Sequence, residues 1–95
     1  MSRPTPKPIK VVWRKLGKEK VWGRATIGAG LVEVDPRMTA RRQLEVLIHE
    51  VAHHCHPDMS EGEVDRAGKM ISEVLWAENY RRVALAPNAK LPRGL

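Results

Sequence analysis

The sequence predicts an α+β fold: a small two- or three-stranded sheet, then a helix carrying a histidine–glutamate motif, then a second, antiparallel helix. Three observations predict it. Short β-branched and apolar runs occupy Ile9–Leu16, Val21–Ile27 and Leu31–Val34, with glycines between them, which is the pattern of short strands. From Asp35 onward the apolar spacing changes to three and four residues, which is helical. Pro57 forbids continuation of that helix, and Ser60 with Glu63 forms a capping box for another.

Ninety-five residues make one small domain with a limited core. Residues 1–8 hold Pro4, Pro6 and Pro8 and read as an extended tail. A single domain is expected over 9–84. Residues 85–95, with Pro87, Pro92 and Gly94, read as a loose second tail. There is no internal repeat.

Within the domain, Val11, Trp13 and Lys15 share one face of the first strand. Gly17-Lys18-Glu19-Lys20 is a turn, and Val21–Ile27 is the returning strand, with Trp22, Arg24 and Thr26 on one side. Gly28-Ala29-Gly30 breaks it. Asp35-Pro36 marks the switch to helix, with Thr39 a further candidate cap, and the helix runs to about His56. Leu44, Leu47, Ile48, Val51, Ala52 and Cys55 form its apolar arc. The second helix carries an apolar stripe of Val64, Ala67, Ile71, Val74 and Leu75 and is expected to end between Tyr80 and Ala84.

The net charge is +6 and the isoelectric point about 10.0. Much of the positive charge lies in the ends, from Arg3 to Lys20 and from Arg81 to Arg93. A solvated basic surface accounts for this; contact with nucleic acid or with an acidic protein is the functional alternative. The single cysteine, Cys55, permits no intrachain disulfide. No apolar run approaches the roughly 20 residues that a membrane span needs, and prolines stand where a signal peptide has its apolar core. A cytoplasmic location is expected; secretion without a signal peptide is compatible with the same sequence.

His49-Glu50-Val51-Ala52-His53 reads H-E-x-x-H. Residues four apart lie on one helix face, so His49 and His53 can aim two imidazoles at one metal ion. Glu50 is turned roughly 100° away, at the edge of that face, where it can hold a water. Zinc in such a site activates water, and the carboxylate acts as general base. The motif recurs by chance, and two solvent-facing histidines on an ordinary helix are the plain alternative. Against that, Val46-Leu47-Ile48 and Val51-Ala52 are uncharged, and both histidines stand off the middle of the apolar arc.

Catalytic zinc takes three protein ligands and keeps one open position. With a hairpin tip near Asp58, Asp65 comes level with the histidine pair, and its side chain leans toward the metal level. Asp65 is therefore the expected third ligand, although a surface pair with Lys69 also explains it. Glu61 is the alternative; it lies one turn nearer the tip, at a helix start that favours acids in any case. His56 is a further candidate, or a helix C-cap. Cys55 falls on the apolar arc and is expected to be a buried thiol, not a nucleophile.

Val46–Cys55, with the acids downstream, resembles the active-site helix of the zincin metallopeptidases. The layout is similar to a minimal gluzincin, SprT-like or ImmA/IrrE-like peptidase of bacteria or phages. The resemblance covers roughly residues 27–80 and is specific in the motif alone. It implies that His49 and His53 bind Zn2+, that Glu50 is the general base, and that Leu31–Val34 is the rim strand along which an extended peptide pairs. Glu61 and Asp65 read E-x-x-x-D; in one branch of zinc peptidases such a pair supplies a ligand Glu and an Asp that orients the first histidine. Two features depart from these families. Met59 stands where metzincin and SprT-like patterns place a histidine, and the step from His53 to Glu61 is shorter than the usual gluzincin connection.

The expected function is a zinc-dependent metallopeptidase acting on a peptide or protein. The alternative is a non-enzymatic, metal-stabilised basic module for nucleic acid or a protein partner, its zinc closed by His49, His53, His56 and Asp65. Tyr80 and Arg24 are candidate oxyanion stabilisers without a spacing argument.

Overall fold

The computed structural model describes residues 8–83; the expectations for residues 1–7 and 85–95 lie outside it. The protein is α+β. A three-stranded mixed sheet of β1 (Lys10–Trp13), β2 (Gly23–Thr26) and β3 (Leu31–Val34) precedes α1 (Ala40–Cys55) and α2 (Glu61–Ala77). The sheet order is β1-β3-β2. β1 runs parallel to β3, with Lys10 opposite Leu31 and Trp13 opposite Val34. β2 runs antiparallel to β3, with Gly23 opposite Val34 and Thr26 opposite Leu31.

This corrects the expectation that Val21–Ile27 folds back directly on the first strand. β3 is inserted between them. It is the most apolar strand, and Val32 and Val34 are fully buried, so the central place gives it the most burial. The chain from Arg14 to Trp22 is held at the end of β3 instead of closing a hairpin. Leu16 is fully buried, its N–H donates to the Asp35 carboxylate at 2.8 Å, and the Asp35 N–H donates to the Trp22 carbonyl at 2.8 Å. The predicted turn does form over residues 17–20, with Lys20 at a φ of 58°. β2 and β3 are joined through a short 3-10 turn, Ile27–Ala29, closed by Gly30 at a φ of 60°, a conformation that glycine adopts without a Cβ penalty.

On the outer face, Glu33 fastens the strands together. It accepts hydrogen bonds from Arg14, just beyond β1, and from Arg24 on β2, with the closer Arg24 nitrogen at 2.7 Å. On the inner face Val32 and Val34 meet Val46 of α1, flanked by Ile9, Trp13, Met38, Leu47 and Val51.

α1 begins where Thr39 caps it, accepting from the Arg42 N–H at 3.3 Å. α2 begins at Ser60, which accepts from the Glu63 N–H at 3.2 Å while its hydroxyl donates to the Glu63 carboxylate at 3.1 Å. α2 stops at Ala77, short of the expected Tyr80–Ala84. Asn79 turns left-handed, with a φ of 69°. Its N–H bonds to the Trp76 carbonyl at 3.0 Å, and the Tyr80 N–H bonds to the Leu75 carbonyl at 2.9 Å, which is the Schellman pattern.

The helices meet along a different seam from the one the apolar periodicity suggests. The buried residues of α2 are Val64, Gly68 and Ser72, which recur every four residues. Gly68 lies against His49; a Cβ there would stand 3.5 Å from the His49 Cα. Small residues thus let the helices approach closely. The expected apolar stripes instead flank an open groove of about 490 Å3, lined by Leu47, Ile48, Val51, Ile71 and Leu75 among others. Ile71 and Val74 are exposed. Cys55 is also exposed, which corrects the buried thiol expected there: the arc it belongs to faces this groove. Among the described residues no helix is long and apolar enough to cross a membrane.

Candidate metal centre

His49 and His53 both lie inside the 16 residues of α1, one turn apart. Their rings meet edge-on, with centroids 4.9 Å apart and planes at 72°. The two Nε2 atoms come within 3.2 Å of each other. Glu61, the first residue of α2, reaches both: Oε1 lies 2.7 Å from Nε2 of His49, and Oε2 lies 3.1 Å from Nε2 of His53. Zinc bonds of 2.0–2.1 Å in a tetrahedron separate neighbouring donors by about 3.3 Å. The three side chains therefore fit zinc in donor type, in number and closely in spacing. Hydrogen bonding to His49 holds the Glu61 carboxyl below its ordinary value, with the positive field of both imidazoles adding to it.

Asp65 is placed otherwise. Its Oδ1 stands 3.9 Å from Nδ1 of His49, on the ring edge away from Glu61, and its Oδ2 pairs with Lys69 Nζ at 3.0 Å. The expected ranking of the acids is thus reversed: Glu61, not Asp65, closes on the histidine pair. The reason is the tight approach at Gly68 and the short turn through Pro57 to Met59, which bring the first turn of α2 level with the motif. Of the E-x-x-x-D pair, Glu61 reaches both imidazoles, and Asp65 stands beside the first histidine at 3.9 Å, beyond hydrogen-bond distance. His56 is not drawn into the cluster. It is the exposed C-cap of α1, its N–H bonding to the Ala52 carbonyl at 2.9 Å.

Glu50 sits with its donor atoms near those of His49 and His53, all within 4.8 Å of one another. It is only 9% exposed. Burial pushes its carboxyl above the ordinary value, and the two imidazoles oppose that shift. A raised carboxyl suits a general base, whose affinity for a proton must be appreciable. Glu50 is buried because α1 lies close under β2 at Gly23. A Cβ at that glycine would come 2.5 Å from Cγ1 of Val46 and 2.9 Å from Cγ of Glu50.

Sequence reasoning did not find Gly23, since nothing local marks a strand glycine as a contact point. It also left His54 without a role. His54 lies one turn beyond Glu50, on the sheet side, and its Nε2 is 3.1 Å from the Leu31 carbonyl. That contact ties α1 to the sheet and leaves the motif histidines free of it.

Beside the site a cleft of about 350 Å3 opens between β2 and α1, lined by Gly23, Arg24, Ala25, Ile27, Glu50 and His53 together with Pro57 and Glu61. The rim strand is therefore β2, not Leu31–Val34 as the resemblance implies; β3 is paired on both sides, whereas β2 offers a free edge. Of the two candidate oxyanion donors, Arg24 lines this cleft and Tyr80 does not. The Arg24 guanidinium is bound to Glu33. Tyr80 follows the far end of α2, about 25 Å from Glu61 at 1.5 Å per residue.

Compared with known proteins, the chain matches no family model, no curated protein and no solved structure.

Proposed function

We propose that the protein is a zinc-dependent metallopeptidase. The observation that carries the proposal is the convergence of His49 Nε2, His53 Nε2 and the Glu61 carboxylate, with the buried carboxyl of Glu50 beside them and a cleft in front. His49, His53 and Glu61 hold the ion. When bound, zinc supplies Lewis acidity, which polarises a carbonyl and lowers the pKa of water. Three protein donors leave a position open, as catalytic zinc requires.

The chain's own residues do the rest. An extended peptide lies along the free edge of β2, where main-chain hydrogen bonds hold it beside α1. Glu50 accepts the proton of the attacking water and delivers it to the leaving amine. Its burial against Gly23 keeps bulk water away and keeps the carboxyl basic. Asp65 stands behind His49, biasing the ring to carry its proton on Nδ1 and present Nε2.

The test is hydrolysis of a denatured protein substrate by zinc-loaded protein. Wild-type protein cleaves it. Glu50→Gln keeps stoichiometric zinc and loses cleavage by a factor of at least about 100, the lower bound of the range for a positioned acid–base group. Cleavage unchanged in Glu50→Gln sinks the assignment. Absence of cleavage in wild type, together with a steeply salt-dependent DNA affinity, points instead to the basic binding module.

A further inference from the structure

We infer that Trp22 forms the wall of a side-chain subsite beside the metal centre, and that the peptides the protein cuts carry a large apolar residue next to the scissile bond; this rests on the peptidase reading above. The chain holds three tryptophans. Two are covered by cations: Arg82 lies 4.1 Å over the Trp13 ring and Arg81 lies 3.8 Å over the Trp76 ring. Among the described residues no arginine or lysine covers Trp22, which is 50% exposed. Exposing an indole forgoes much of the stabilisation its burial would give, so its position at a cleft invites an occupant.

That position is fixed and lies next to the chemistry. The Trp22 carbonyl accepts from the Asp35 N–H at 2.8 Å, and the following residue, Gly23, is clamped against Val46 and Glu50. Trp22, Val21 and Val46 supply the apolar surface of a second cleft, which also reaches His49 and Glu50. Its volume is about 240 Å3, below the roughly 300–1,000 Å3 of small-molecule pockets and suited to one side chain.

Apart from His49 and Glu50 of the motif itself, the charged groups lining this cleft are matched in pairs. Arg42 bonds to Glu45 at 2.7 Å, and Asp65 to Lys69 at 3.0 Å. Neither pair leaves a lone charge to recruit a charged substrate residue, whereas the indole face and two valines favour an apolar one. The cleft beyond Gly23 shares Glu50 and is lined besides by Arg24, His53 and Glu61, with Ala25, Ile27 and Pro57 as its apolar part and no tryptophan.

The experiment uses the zinc-loaded Glu50→Gln protein and blocked alanine hexapeptides with a single Phe, Leu, Asp or Lys at each position in turn. Binding is read by isothermal titration calorimetry in every protein and, where Trp22 is present, also from its indole N–H resonance, assigned with Trp22→Phe. The best Phe or Leu peptide should bind at least tenfold more tightly than the all-alanine peptide, within the range that apolar pockets discriminate. It should shift the Trp22 resonance, and Trp22→Ala should abolish the preference while Trp22→Phe keeps most of it. Should Trp22→Ala fail to fold, the Trp22 resonance and the Trp22→Phe protein decide the matter. Equal binding of all the peptides, no binding, or a preference that survives Trp22→Ala overturns the subsite. Apolar preference at Trp22 combined with no cleavage by wild type overturns the peptidase reading alone.

Discussion

At the scale of single residues, the proposed site divides between Glu61 and Asp65 the work that one acid was expected to do. Glu61 touches both imidazoles, so Glu61→Ala should weaken zinc binding far more than Asp65→Asn does. The latter should cost about 10- to 100-fold, the usual effect of losing a group that orients a ligand. Competition with a chromophoric chelator measures both, and equal losses would contradict the division. Glu50 carries an opposite kind of strain. Its carboxyl is raised in the folded protein, so it opposes folding once pH exceeds its ordinary value of 4.5 and the unfolded chain ionises first. The metal-free Glu50→Gln protein should therefore melt at a higher temperature than metal-free wild type at pH 7. A lower melting temperature would show that the buried carboxylate is compensated by something other than the metal.

At the scale of elements, Gly23 sets how closely β2 approaches α1. Gly23→Ala inserts a Cβ 2.5 Å from Val46, and overpacking of that kind costs typically about 1–3 kcal/mol. Urea titration should show that loss, with reduced activity because Glu50 is displaced too; an unchanged midpoint would mean that the strand can simply move away. The caps that start both helices and the end of α1 were legible in the sequence because they are local chemistry, whereas the end of α2 was not. Thr39 and Ser60 have hydroxyls that reach their own backbone, and Pro57 cannot continue a helix. Sheet order was not legible, because pairing β1 with β3 joins residues about 20 apart and leaves no short-range signal. The acid that closes on the histidine pair was hidden for a related reason. Choosing Glu61 over Asp65 depends on how far α2 slides along α1, and that is decided by Gly68 against His49, a tertiary contact. The apolar arcs misled about burial, since periodicity marks which face is apolar but not whether anything covers it.

At the scale of the whole molecule, two ion-paired clusters hold the sheet and its flanking segments together, and both respond to pH. Asp35 is fully buried and held well below its ordinary 3.8, chiefly by Arg37 and also by the N–H groups of Leu16 and Arg37. Glu33 is held below its ordinary 4.5 by Arg24 and Arg14. Depressed carboxyls stabilise the folded state fully above these ordinary values and lose that contribution as pH falls toward the lowered ones. The melting temperature should thus be flat above about pH 5 and fall steadily below about pH 4. Asp35→Asn should lower it at pH 7 and flatten the acid limb; an unaltered limb would show that other carboxyls govern acid unfolding. Zinc held as proposed by His49, His53 and Glu61 would join α1 to α2, so its binding should also stabilise the fold. The most direct test of the zinc centre is an anomalous difference map at the zinc edge from crystals of the zinc-loaded protein. The predicted result is one peak within bonding distance of His49 Nε2, His53 Nε2 and the Glu61 carboxylate, with the fourth position taken by water. A peak elsewhere, or one closed by a fourth protein ligand, would contradict it.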